Sequence, residues 1–254
     1  DLHSFPTRRS SDLHIAFIAH NGRVAVYMGD DDKFEYVYKF VSEARFDPKN
    51  PAANRDLLDR GTLYVARLDA SGRGEWLPLV FDPKGPLNAA AGFRDQGEVL
   101  IKARAASSLL GATPMDRAED VEANPATGRI YVACTRNEQR SAAPRRMTYA
   151  GREVEAGTDA ANPRGPNPFG HIVEIREAGD DHTAREFSWE VFLLGGDPSG
   201  GRLVTDLTRV KQDSAYYAGY ANADELSPVG SPDNIGFDRA GNLWMVYGDR
   251  KSVV

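Results

Sequence analysis

The residues best suited to chemistry stand together in Thr113–Pro125, Thr-Pro-Met-Asp-Arg-Ala-Glu-Asp-Val-Glu-Ala-Asn-Pro. Asp116, Arg117, Glu119, Asp120, Glu122 and Asn124 fall within nine positions. Four carboxylates at this spacing repel one another unless a cation lies among them, and one arginine does not balance them. Hard divalent ions take six to eight oxygen ligands, mostly carboxylates and carbonyls, so the cluster suits calcium. Arg117 adds a planar fork of donors that grips a phosphate or carboxylate by two bonds. Metal beside arginine is a common means of binding and stabilising a phosphoryl group. A solvated acidic turn ahead of a strand accounts equally well for the stretch taken alone.

The elements that must hold this stretch are short strands. His14–His20 and Arg23–Met28 flank Asn21-Gly22, a strong hairpin signal. Asp30, Asp31 and Asp32 read as a solvated turn. Phe34–Val41 alternates aromatics with other residues and reads as one strand. Phe46–Arg60 reads as a loop with a short helical turn. Gly61–Asp69 and Glu75–Val80 read as strands joined at Ala70–Gly74. Asp95–Leu110 breaks the β pattern, with Val99, Ala103, Ala106 and Leu110 near helical spacing and Gly111 placed to cap it. Arg129–Thr135, His171–Arg176 and Arg185–Leu193 read as further strands. Arg136–Pro168, rich in Gly, Pro and Arg, reads as a surface insertion, and Gly195–Gly230 as loop. His171, opening a strand, reads as structural.

Ser231–Val246 repeats the acidic unit. Ala118-Glu119-Asp120-Val121 aligns with Pro232-Asp233-Asn234-Ile235, and Ile130-Tyr131-Val132 with Leu243-Trp244-Met245. An acid, a short strand, a Gly turn and a second strand, recurring in an all-β chain, predict a β-propeller with a helical insertion. In that architecture Glu119-Asp120 and Asp233-Asn234 reach one channel from different blades and form one candidate metal site.

Composition limits the partners. The 254 residues carry a net charge of −6 and show no face-sized basic block, which argues against nucleic acid. No apolar run approaches the roughly 18 residues of a membrane span. The single cysteine, Cys134, permits no internal disulfide and reads as a small core residue. Residues 1–13 and 249–254 read as non-native extensions, so Arg8-Arg9 is not taken as an export signal. Residues 14–248 read as one partial propeller domain.

With these motifs quoted, the chain resembles the PhoX family of bacterial alkaline phosphatases. The resemblance rests on Gly29–Val41, Met115–Pro125, Asn162–His171 and Ser231–Ile235, in that order. It implies a six-bladed propeller of which several blades are present here. It further implies export to the periplasm by the twin-arginine route and hydrolysis of phosphate monoesters by a monomer, using a calcium and iron (Ca2+, Fe3+) cluster. It makes Arg117 the substrate-binding and catalytic arginine and Glu119 a metal ligand. The repeat extends the ligand set to Asp233, with Glu122 and Asn234 as further candidates. Ala118 departs from the proline usual at that position, and Cys134 does not match the family's iron-binding cysteine. A non-catalytic calcium-binding propeller and a lactonase-type calcium propeller are the competing classes.

Overall fold

The computed structural model describes residues 14–199, 203–220 and 222–247. The two stretches read as extensions lie outside the described residues. What is described is mostly β, with few helices.

The chain opens with the expected hairpin, β1 (His14–Ile18) and β2 (Arg23–Gly29). The strand expected over 34–41 divides instead into β3 (Lys33–Glu35) and β4 (Val37–Arg45). Phe34 takes a left-handed φ of 63°, which breaks the alternation. Its ring packs with Val154, while Tyr36 and Tyr38 turn to a separate cluster under the helices. A short helical turn at Pro51–Asn54 precedes β5 (Gly61–Leu68) and β6 (Arg73–Pro78). The helical segment is present but kinked at Lys102 into α1 (Gln96–Ile101) and α2 (Ala103–Leu110). The Asp95 side chain accepts from the Glu98 N–H at its start, and Gly111 ends it with a φ of 74°. Val99 and Ala106 face inward onto Tyr36, Tyr38, Val65 and Leu79.

Then come β7 (Met115–Asp116), β8 (Ala118–Ala123) and β9 (Ile130–Cys134). The hairpin β10 (Arg146–Tyr149) and β11 (Arg152–Glu155) follows. Next are β12 (His171–Glu177), β13 (Glu186–Leu194) and β14 (Tyr216–Tyr217). The chain closes on β15 (Pro232–Phe237) and β16 (Leu243–Tyr247).

One antiparallel sheet runs β1-β2-β4-β5-β6-β13-β12-β9-β8, with β14 beside β13. Its first two strands touch its last, so the sheet nearly closes on itself. Within it lie two four-strand meanders, β2-β4-β5-β6 and β8-β9-β12-β13. A three-residue pairing of β6 with β13 joins them, where separate blades would leave the two apart. Between the faces Tyr27, Val41, Trp76, Val121, Val132, Cys134 and Phe187 form the main core. Each large apolar side chain enclosed there contributes about 1.5–3 kcal/mol. Cys134 is fully buried, and burial pushes its thiol pKa up, as suits a core residue.

The core also encloses charge. Lys39 Nζ donates to Glu177 Oε1 at 2.9 Å and to the Ala184 carbonyl at 2.6 Å. Tyr27 and Trp76 donate to the same carboxylate. Burial lowers the Lys39 pKa to about 8 against the pull of Glu177. Glu177→Gln keeps the shape but removes the charge facing Lys39, and is expected to cost about 1–3 kcal/mol in urea unfolding. A change below a few tenths would show that the pair contributes nothing.

Much of the segment 136–168 is exposed, as expected of a surface insertion, but polar side chains near both its ends turn inward. Asn137, Arg140, Asn162, Arg164 and Asn167 are all buried. Arg164 donates to the carbonyls of Gly195, Lys211 and Ser214, which satisfies its buried guanidinium.

Candidate active site

The acidic stretch is strand rather than turn. Asp116 ends β7 and is fully enclosed. Its Oδ1 accepts from Asn137 Nδ2 at 2.9 Å and from Arg140 Nε at 2.5 Å. Its Oδ2 accepts from Asn167 Nδ2 at 2.9 Å. Arg140 reaches on to the carbonyls of Gly157 and Pro114, so its charge is fully engaged. Asp116 is thus a structural anchor, supplied by the very segment whose composition suggested solvent.

Arg117 sits between β7 and β8 with a φ of 60°. A non-glycine residue held there costs about 1–2 kcal/mol. Its carbonyl accepts from the Thr135 N–H at 3.0 Å. The side chain is brought against Asp31 because β2 ends in glycine. A Cβ on Gly29 would lie 2.1 Å from the Ala118 carbonyl oxygen. Lacking one, β2 closes on β8 and carries the 30–32 turn to Arg117.

That turn is not the solvated one expected. Arg117 Nη2 lies 2.9 Å from both oxygens of Asp31 and hydrogen-bonds Oδ2, leaving Oδ1 buried without a hydrogen-bond partner. Asp30 is held by Arg104, and Asp32 accepts from the Tyr149 hydroxyl at 2.6 Å. Three like charges in a row read as solvated because their partners lie some 70 to 120 residues away in sequence.

Glu119 is the second contact of Arg117. Its Oε2 accepts from Arg117 Nη2 at 3.2 Å and from Thr135 Oγ1 at 2.8 Å. Asp233 comes in from β15 and lies against Glu119, near enough for the two carboxyl groups to share a proton. β15 is docked on β8 by the Ile235 N–H, which donates to Asp120 Oδ2 at 2.8 Å. The two acidic units seen as a sequence repeat therefore lie side by side. Asp120 keeps Oδ1 buried and unpaired.

Glu122 lies two residues along the strand from Asp120, half-buried. Burial, then the Asp120 charge, raises its pKa. Asn234 is half-buried on β15. Neither hydrogen-bonds Arg117 or Glu119, so the arrangement centres on Arg117, Asp31, Glu119 and Asp233.

One guanidinium thus faces three carboxylates. Burial raises the Asp31 pKa despite Arg117. Burial, the hydrogen bond with Asp233 and the charges of Asp31 and Asp233 push Glu119 up to about 7, against the Thr135 hydroxyl. Burial acts to lower the Arg117 pKa, but the surrounding acids raise it. Carboxylates this close ionise together only with more positive charge among them. Hard oxygen donors and unpaired buried oxygens fit a divalent or trivalent cation. Among the described residues no three His, Cys, Asp or Glu side chains stand together in metal-holding geometry. The residues present therefore fit part of a coordination shell.

His171 is structural, as expected. It is fully buried at the start of β12, with Nδ1 3.1 Å from Asn167 Nδ2. Burial lowers its pKa to about 4. The ordinary value is about 6.5, so the unfolded chain takes a proton that the fold refuses. Stability from this group is complete above about pH 6.5 and is lost as pH falls toward 4, roughly 3 kcal/mol in all. His171→Gln is expected to flatten that part of the stability curve measured by urea titration at successive pH values. An unchanged slope would contradict it.

Known proteins resemble the chain as a whole. The family model described as alkaline phosphatase PhoX matches residues 14–252. The solved structure of Pseudomonas fluorescens PhoX in complex with vanadate, a transition state analogue, is 35% identical with a TM-score of 0.77. The match covers 99% of this chain and 42% of that one, so the chain spans less than half the length of its solved relative. No curated protein matches the chain. The chain belongs to the PhoX family of alkaline phosphatases.

Proposed function

We propose that this chain carries part of a metal-dependent centre for phosphate monoester hydrolysis. Arg117 is its phosphate-binding group, and Glu119 and Asp233 are metal ligands. The observation that carries the reading is the single guanidinium among three carboxylates, whose burial and closeness raise the Glu119 pKa. Asp31 and the free oxygen of Asp120 extend the oxygen set, with Glu122 and Asn234 at its margin. These donors suit calcium and Fe3+, whose remaining ligands come from the part of the full-length protein beyond this chain.

When bound, the ions supply positive charge against the phosphate and leaving-group oxygens. The chain's own residues then have defined tasks. With Glu119 and Asp233 holding a cation, Arg117 would face fewer free carboxylates, and its planar fork could take two phosphate oxygens. As charge builds on the equatorial oxygens, that fork stabilises it. Thr135 keeps Glu119 oriented by donating to Oε2.

The two meanders and the β15–β16 pair are read as successive blades of a six-bladed ring, with the three-residue β6–β13 pairing a bridge between the first two. Action as a monomer after twin-arginine export to the periplasm belongs to the same reading. No helix among the described residues is long and apolar enough to cross a membrane.

Orthovanadate, which the Pseudomonas fluorescens relative holds, is the direct probe. Calorimetric titration of a protein extended to the length of its solved relative, with calcium and Fe3+ present, is expected to show binding that weakens at least tenfold in Arg117→Ala. Equal affinity in both proteins would remove Arg117 from the phosphate site. Calcium binding with no orthovanadate binding in either protein would favour a calcium-binding module instead.

A further inference from the structure

Arg117 is held in a backbone conformation that costs free energy, and the neighbouring contacts show what holds it. Asp116, next in sequence, has both carboxylate oxygens clamped by Asn137, Arg140 and Asn167, all buried. On its other side the Arg117 carbonyl is fixed by the Thr135 N–H. Asp116 also pairs across the β3–β7 ladder with Lys33, whose successor Phe34 is likewise left-handed. Arg140 touches both places: Nε pairs with Asp116, and the guanidinium carbon lies 5.2 Å from the centre of the Phe34 ring. Strain persists only where the surroundings over-determine it, and it gathers at sites that need a fixed aim.

We infer that Asn137, Arg140 and Asn167, acting through Asp116, are positioning residues that hold Arg117 left-handed so that its guanidinium points at Asp31 and Glu119. They touch no substrate. The inference rests on the phosphate role proposed for Arg117, and it adds that the arginine is aimed by a clamp on the residue before it. With the clamp loosened, residue 117 relaxes to an ordinary φ and its side chain leaves the carboxylates.

A cycle of four variants reads the backbone directly. With the clamp intact, Arg117→Gly is expected to fold about tenfold more favourably than Arg117→Ala, because only glycine takes a positive φ without strain. In an Asn167→Ala background that preference is expected to fall below about twofold. A tenfold preference surviving Asn167→Ala, or none with the clamp intact, overturns the inference. Should Asn167→Ala fail to fold, Asn137→Ala takes its place, since it also removes one donor to Asp116. A second reading uses orthovanadate affinity with calcium and Fe3+ supplied. Asn167→Ala is expected to weaken binding when Arg117 is present and to change nothing further in Arg117→Ala. An equal loss in both backgrounds indicates a merely structural role and overturns the inference. The glycine–alanine comparison involves no phosphate. If Arg117→Ala binds vanadate normally, the phosphate reading fails while the clamp is still judged.

Discussion

Arg140→Ala is expected to cost about 3–5 kcal/mol of stability, the range for breaking a buried ion pair by removing one partner. Arg140 and Asp116 have no exposed side-chain surface, and their closest approach is 2.5 Å. Without the guanidinium, Asp116 keeps Asn137 and Asn167 but loses its counter-charge. The Gly157 carbonyl loses this donor too, while the Pro114 carbonyl keeps Asn162 Nδ2. For a chain of this size the loss corresponds to a fall in Tm on the order of 10 °C. Calorimetry or urea unfolding measures it. Asp116→Asn combined with Arg140→Met removes both charges and is expected to recover part of the loss, because an uncompensated charge costs more than an absent pair. A cost below about 1 kcal/mol for Arg140→Ala would mean that water reaches Asp116, contrary to the packing described.

The second large effect is on chemistry. In a protein extended to the length of its solved relative, Arg117→Ala is expected to lower the hydrolysis rate by about 10²–10³, as removal of one transition-state donor does. Stability is expected to move little, because the partly exposed guanidinium pairs with acids that also repel one another. Arg117→Lys is expected to restore only a small part of the rate, since a point charge cannot replace the planar fork. Full activity in Arg117→Ala would assign phosphate binding elsewhere.

Much of the fold could be read from local patterns. The Asn21-Gly22 hairpin, the strands around Val65 and Val132, and a helical segment ending at Gly111 follow from alternation, spacing and caps. So does the side-by-side placement of Glu119-Asp120 and Asp233-Asn234, because the repeat is one supersecondary unit used twice. What composition misled on was burial. Arg136–Pro168 has the residues of a solvated loop, yet Arg140, Arg164 and three asparagines are inside. Nothing local indicates that Asp116, over twenty residues earlier, takes three of their donors.

The same blindness to distant partners hid Asp31. An Asp-Asp-Asp run reads as a turn until Gly29 is seen to let β2 close on Ala118. The break at Phe34 escaped notice because its alternation is regular, and only the pairing of β3 with β7 turns the backbone. The joining of β6 to β13 was hidden for a similar reason, since pairing between non-neighbouring strands leaves no mark on either one.

Arg117, Glu119 and Asp233 are proposed to belong to a phosphate-hydrolysing metal centre. Hydrolysis of p-nitrophenyl phosphate tests it most directly, with calcium and iron supplied to a protein extended to the length of its solved relative. The account predicts turnover that is lost on chelation and restored by the ions, and that falls at least a hundredfold in Arg117→Ala. An extended, metal-loaded protein that folds and does not hydrolyse the ester, or one whose rate is the same without Arg117, would contradict it.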